Sequence, residues 1–340
     1  MGRYVGIDLH KNMFVACFWE AEDRHPVVRY PMEQIGQFVK ALRADDEVGV
    51  ESTGNTAYFV RKLEGQVASV KVIHPGKFKV IAESTSKTDA KDARTIAWYL
   101  AKGMVPEVRM KDQAHAELAS LAQTRDRLVK LRTALMNKIH NLLSAQGILL
   151  RRESLGTQKG LEEALKRPVS EVGAIELKVL GKEIRSLNES IAELDRELAE
   201  RGKNLPGHRN LSSIKGIGDK SATILLSMIG DIQDFASAKR LASYFGMAPR
   251  VEVSNDTRHY GRITKKGTKI GRTTLVQCTW VAIRYSPYLR GFYERIKAGK
   301  GSGKAIIATA RKLLGIIYDT LKHDWVFKDF SRFEIEPKVA

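Results

Sequence analysis

RYVGIDLHKNMFVACFWE, residues 3–20, decides the fold class of the N-terminal part of this chain. Tyr4, Val5, Ile7 and Leu9 form one apolar run and Met13 to Trp19 a second, with the polar His10, Lys11 and Asn12 between them. That pattern predicts two short strands joined by a turn. Working outward, EVGVE at 47–51 is a third short buried strand running into STGNTAYFVRKLEG, and VKVIHP at 70–75 is another. KFKVIAEST follows at 77–85, and KTDAKDARTIAWYLAKG at 87–103 places Ala93, Ile96 and Leu100 at helical spacing. Strands interleaved with helices predict an α/β layer over residues 1–105.

Acids punctuate this layer. Asp8 lies near the end of the first apolar strand, where an ionised side chain turned toward the core needs compensation. Glu51 ends the third strand, ahead of Ser52, Thr53 and Gly54. Asp89 and Asp92, three residues apart at the start of a helix, project from one face. The plainer readings are strand-end surface acids and helix acids favoured by the dipole. Alternatively, the four carboxylates converge on a common ion. Hard divalent cations such as Mg²⁺ take oxygen donors and bridge to phosphate oxygens, and a pair of them activates one oxygen while stabilising another. Phosphodiester chemistry is the natural use of such a set.

Residues 106–205 are helical in pattern. Leu121, Leu128, Leu135, Leu142 and Leu149 recur every seven residues, and Leu177, Leu180, Ile184, Leu187, Ile191, Leu194 and Leu198 alternate spacings of three and four. Two long helices joined by a polar stretch near 151–172 follow, forming a coiled-coil arm. The arm either folds back on itself or joins copies of the chain, and so regular a seam favours a contribution to oligomerisation. In residues 206–340, Ile214 and Ile217 flank Gly216 and Gly218, and helical periodicity resumes at Ala222, Leu225, Leu226 and Ile229. This predicts a helix-hairpin-helix whose glycine turn offers backbone N–H groups to a DNA phosphate, independent of base sequence, within a mainly helical domain.

The 340 residues carry 57 Lys+Arg against 39 Asp+Glu, a formal net charge of +18, which points to a polyanionic partner. The excess is local: residues 250–312 hold 15 basic and 3 acidic residues, interleaved with Tyr260, Trp280, Tyr285, Tyr288 and Tyr293. Phosphate contacts beside base or sugar stacking suit that mixture. Arg250, Arg258, Arg262, Lys265 and Lys266, with Lys220, Lys269 and Arg272, are the candidate nucleic-acid contacts. A hydrophobic fraction of 43% excludes a disordered basic tail. Cys17 and Cys278 are too few and too far apart for a disulfide framework or a zinc site. Histidines such as His10, His74, His140 and His259 are scattered without zinc-ligand spacing. GKGSGKA at 299–305 fails as a P-loop, because Ala298 and Ala305 stand where Gly and Ser/Thr are needed. The chain shows neither a secretory leader nor an apolar stretch able to span a membrane, so a cytoplasmic, nucleoid-associated protein is expected.

Taken in order, GIDLHK at 6–11, VESTGN at 50–55, KTDAKDA at 87–93, SIKGIGDKSATILLSMIGDIQDFASAKRLASYFGMAPR at 213–250 and GRITKKGTKIGRTTLVQCTW at 261–280 resemble the DEDD transposases of the IS110 insertion-sequence family and their Piv-type DNA invertase relatives. The resemblance implies an RNase H-like (RuvC-like) catalytic domain in which Asp8, Glu51, Asp89 and Asp92 hold Mg²⁺, as a pair of ions. It implies that Ser254, soon after Pro249 and Arg250, is the DNA nucleophile. Here Val253, Ser254 and Asn255 stand where the family commonly shows Ser-Gly, and Asn also adopts positive φ. The resemblance further implies a serine–DNA phosphodiester intermediate, strand exchange between donor and target DNA without large target duplication, and guidance by an RNA encoded in the element.

The expected activity is site-directed insertion and excision of an insertion sequence. Because the acids and Ser254 lie on either side of a helical arm, they are expected to meet between protomers of a homodimer or homotetramer. A free hydroxyl attacks poorly without activation, which nearby metal would supply, and the basic residues after Pro249 would clamp the phosphate. A Holliday-junction resolvase-like endonuclease would use the same acids with water as nucleophile, leave Ser254 idle, and lack the C-terminal block. A non-enzymatic DNA-bridging protein would need none of the acids. Tyr260, beside Arg258 and His259, is a rival nucleophile, but tyrosine recombinases need no four-carboxylate domain.

Overall fold

The computed structural model describes residues 2–20, 25–74, 76, 78, 88–151, 153–254 and 257–326. The chain divides into two compact units, Met1–Met110 and Lys111–Ala340. The first contains β1 (Tyr4–Leu9), β2 (Met13–Trp19), β3 (Val27–Pro31), α1 (Ile35–Ala41), β4 (Glu47–Glu51), α2 (Thr56–Leu63), β5 (Ser69–Ile73) and α3 (Asp89–Ala101). The strands form one mixed sheet in the order β3-β2-β1-β4-β5. β1 to β3 are an antiparallel meander, whereas β4 and β5 run parallel to β1. Of the KFKVIAEST segment, only Phe78 lies within the described residues.

Alternation assigns the two faces of this sheet. Val5, Ile7 and Leu9 of β1, with Val48 and Val50 of β4, pack into one core with Phe14, Phe38 and Phe59. Their neighbours Gly6, Asp8, Gly49 and Glu51 therefore face the other side, where α3 lies. A methyl group on Gly6 would stand 2.2 Å from the Ala93 carbonyl oxygen and 2.4 Å from the Ala97 nitrogen, and one on Gly49 would stand 3.0 Å from Ile96 Cγ2. Gly6 lets the helix backbone rest almost directly on the sheet backbone and Gly49 leaves room for the Ile96 and Leu100 side chains, with Ala93 and Ala97 fully buried.

In the second unit, α4 (Gln113–Ala145), α5 (Gln158–Leu165) and α6 (Glu171–Gly202) come first. α4 and α6 run antiparallel within the chain, Arg125 reaching Asp195, Arg132 reaching Asn188 and Lys138 reaching Glu176. On α6 the buried residues Leu177, Ile184, Ile191 and Leu198 fall seven apart. On α4 the row Leu121, Leu128, Leu135 and Leu142 is only half-buried, burial falling instead on Leu118, Ala119, Ala122, Ile139 and Leu143, while Leu149 lies past the helix and is exposed. The stretch read as a polar linker holds α5, whose Leu161 and Ala164 pack on Ile139, Leu143, Leu177 and Ile184.

The chain continues through α7 (His208–Ser212), α8 (Asp219–Ile229), α9 (Ala238–Tyr244), β6 (Pro249–Ser254), β7 (Thr257–Ile263), α10 (Lys269–Tyr285), α11 (Pro287–Lys300) and α12 (Ser302–Lys322). Leu118, Ala122 and Leu198 from the long helices share one core with Leu225, Phe245, Leu275, Leu313 and Ile317. The β6–β7 hairpin interrupts what the sequence pattern presents as helical. Among the described residues, no helix is long and apolar enough to cross a membrane. Lys111, at the root of α4, donates from Nζ to the Ser227 carbonyl at 2.6 Å. That carbonyl belongs to the last turn of α8 and has no partner inside the helix. Burial pushes the Lys111 ammonium down from 10.5 to about 8.

Two measurements follow from this packing. Gly6→Ala is expected to lower unfolding free energy by about 1–3 kcal/mol through overpacking, whereas Gly36→Ala, with nothing within 4 Å of the added methyl, should raise it by a few tenths to about 1 kcal/mol; chemical denaturation reads both. A lysine with a depressed folded pKa costs stability in full below about 8, and the cost fades as pH rises toward 10.5. Melting temperatures of wild type and Lys111→Met should therefore converge in the wild type's favour as pH rises from 8 to 10.5, and a constant difference would contradict the burial of the charge.

Candidate active site

Asp8 and Glu51 are placed by strand pairing. Ile7 pairs with Val50 in the parallel β1–β4 ladder, so Asp8 and Glu51, one residue further on, stand level on neighbouring strands and on the face toward α3. The loop after β4 is built to hold this end in place. Thr56 Oγ1 donates to the Glu51 carbonyl at 3.0 Å, Ser52 N–H donates to the Ile73 carbonyl at 2.9 Å, and Asn55 Nδ2 donates to the His10 carbonyl at 2.9 Å. α3 begins at an extended Thr88, whose Oγ1 accepts from the Lys91 N–H. Asp89 and Asp92 occupy its first turn, where the helix dipole favours negative charge.

Asp8 and Asp92 are buried, at 6% and 5% exposure. The Asp8 and Asp89 carboxylates come together with a residue that spacing does not single out. His10 Nε2 lies 3.2 Å from Asp8 Oδ2 and 3.5 Å from Asp89 Oδ1. Among the described residues, Asp8, His10 and Asp89 are the group whose ligand atoms all lie within 4.8 Å of one another. Arg29 of β3 reaches the other oxygen of Asp89, Nη2 to Oδ2 at 3.2 Å. The signal for His10 is its position two residues after Asp8, on the same side of the chain. Carboxylates from two strand ends and a helix start are the donor set a hard divalent cation takes, and buried carboxylates call for positive charge or donors. The acidic group is one that can hold a metal ion.

Ser254 ends β6, paired with Thr257 in the last pair of the β6–β7 ladder; Asn255 lies outside the described residues. Arg258 pairs with Val253 and Tyr260 with Val251 on the same ladder. The root of the hairpin is a backbone clasp. Gly246 and Gly267 take φ of 66° and 141°, and a methyl on Gly267 would stand 2.1 Å from the Tyr244 carbonyl oxygen. Lys265 N–H donates to the Gly246 carbonyl at 3.0 Å and Thr264 N–H to the Ala248 carbonyl at 2.9 Å. Arg272 closes the clasp, its Nη1 donating to the carbonyls of Phe245 at 2.9 Å and Gly267 at 3.0 Å, and partial burial lowers its pKa.

The basic residues therefore separate into two groups. Arg272 is bound to backbone carbonyls, and Lys220 is drawn to Asp195 at 2.8 Å, which also accepts from Arg125. Arg250, Arg262, Lys265, Lys266 and Lys269 are exposed. Gly216 packs its backbone against α10 at Cys278 and Ala282, while Gly218 caps α8 with open space around it. Ser212, Lys215, the glycine turn, Val281 and Tyr285 line a groove of about 390 Å³ beside that helix start.

A DEDD transposase model of the IS110 group matches residues 5–146, and a model described as the transposase IS116/IS110/IS902 family matches residues 208–294. The chain is 26% identical to the transposase for insertion sequence element IS1111A of Coxiella burnetii, over 96% of this chain and 91% of that protein. It is 25% identical to a probable family 20 transposase of Pseudomonas aeruginosa, over 95% and 98%. It is 28% identical to the pilin gene-inverting protein of Moraxella bovis, over 95% and 97%. With both family models matched in order and relatives aligned over nearly the whole length, the chain belongs to the IS110 family of transposases and DNA invertases, enzymes that cut and rejoin DNA.

Proposed function

We propose that the chain inserts and excises an insertion sequence by metal-dependent strand exchange through a serine–DNA intermediate, guided by an RNA from the element. The observation that carries this reading is the level placement of Asp8 and Glu51 on neighbouring strands beneath the helix that begins with Asp89 and Asp92. The strand order β3-β2-β1-β4-β5 supports an RNase H-like reading of the first unit. Mg²⁺, as two ions held by these four acids, would polarise the phosphodiester and stabilise the departing oxygen.

The remaining chemistry belongs to the chain. Ser254 Oγ attacks phosphorus, one P–O bond to the DNA breaks as the Oγ–P bond forms, and the released strand takes up a proton as a hydroxyl. Attack by a hydroxyl of another strand reverses the step and frees the serine, so the bond count is conserved and no nucleotide cofactor is required. Arg250, Arg262, Lys265, Lys266 and Lys269, exposed near Ser254 in sequence, neutralise phosphates along donor and target DNA. The glycine turn before α8, read as part of a helix-hairpin-helix, gives a further phosphate contact. A homodimer or homotetramer, joined through the long helices as a coiled coil, brings acids and serine to one phosphodiester at the chromosome in the cytoplasm.

The test uses protein co-expressed with the element's flanking noncoding segments, then incubated with donor and target DNA and Mg²⁺. After denaturation, wild type should retain covalently attached DNA, while Ser254→Ala and Asp8→Asn should both lose the adduct. Cleavage without an adduct, equal in Ser254→Ala, would instead identify a hydrolytic, resolvase-like endonuclease. Omission of the RNA segments should abolish site choice.

A further inference from the structure

We infer that His10 is a ligand of the ion held by Asp8 and Asp89, so that this acidic site contains one nitrogen donor. The inference rests on the metal-dependent reading above and deepens it. Residues two apart along an extended chain face the same side, and the His10 N–H continues the hairpin by donating to the Met13 carbonyl at 2.9 Å. Its own carbonyl accepts from Asn55 Nδ2 at 2.9 Å. Both sides of the His10 peptide are thus tied down, one to the β1–β2 turn and one to the loop after β4.

The imidazole then brings Nε2 to 3.2 Å from Asp8 Oδ2 and 3.5 Å from Asp89 Oδ1. The nitrogen is shared between two carboxylates rather than committed to one. Neighbouring donors around a six-coordinate ion, each bonded at about 2.1 Å, lie about 3 Å from one another. The three donor atoms have that spacing on two of their sides, and all lie within 4.8 Å. The donors come from β1, the turn after it and the start of α3, so a single ion would tie the strand end to the helix start. An imidazole among carboxylates also shifts preference from Mg²⁺ toward transition ions, because Mg²⁺ takes oxygen donors whereas nitrogen suits the later divalent metals.

The experiment loads the full chain, without DNA, with Mn²⁺ and records electron spin-echo envelope modulation. Wild type should show ¹⁴N modulation from a coordinated imidazole. His10→Ala and the more conservative His10→Gln should lose it while circular dichroism shows the fold retained, and Mn²⁺ should bind about tenfold more weakly. His74→Ala should leave the modulation intact. Mn²⁺ binding without ¹⁴N modulation, or with modulation that survives in both His10 variants, would overturn the assignment of His10 and leave the metal site standing. Absence of Mn²⁺ binding, or binding unaffected by Asp8→Asn, would overturn the metal reading itself and His10 with it.

Discussion

The arrangement of the first unit depends on how closely α3 approaches the sheet. Two residues without side chains permit this: Gly6 lets Ala93 and Ala97 lie against strand backbone, and Gly49 leaves room for Ile96 and Leu100. Side-chain layers ordinarily keep helix and sheet well apart. With that spacing removed, the first turn of the helix reaches the carboxylate at the end of β1. Asp8 and Asp89 come from distant parts of the sequence and converge because the surface between them is so thin. Any bulk at Gly6 acts on the site through the helix rather than by contact.

Much of this is legible in the sequence, for a physical reason. Strands β1, β2 and β4 are buried over most of their length and β5 at its end, so their apolar runs stand out, and the glycine–acid alternation in GID and GVE marks the face that cannot be filled with side chains. Strand β3 is not legible because most of Val27–Pro31 is exposed, leaving no apolar period. The hairpin Pro249–Ile263 is hidden by its own charge: a strand that carries Arg250, Arg258 and Arg262 reads as a basic loop. α5 is short, and its Leu161 and Ala164 are too few to announce a helix inside a polar stretch.

Site residues divide along the same line. Acids at strand ends declare themselves because burial makes them costly, whereas His10 looks isolated until the hairpin turn and α3 bring its partners to it. Charge counting cannot see what a cation is already bound to. Lys220 and Arg272 add to the basic total of the C-terminal block, yet one is engaged with Asp195 and the other with two backbone carbonyls. The positive charge offered to solvent is therefore smaller than the formal charge, and among the described residues around the hairpin Arg250, Arg262, Lys265, Lys266 and Lys269 are exposed.

The irregularity in that hairpin carries a consequence of its own. Pro249 pairs with Ile263, but Val251 pairs with Tyr260, so the register shifts between them. Because successive residues of a strand alternate between faces, a bulge decides the parity of everything beyond it. A single insertion or deletion between the clasp and Ser254 would exchange the two faces of the strand beyond it. In this part of the molecule, the length of the chain is constrained alongside its composition.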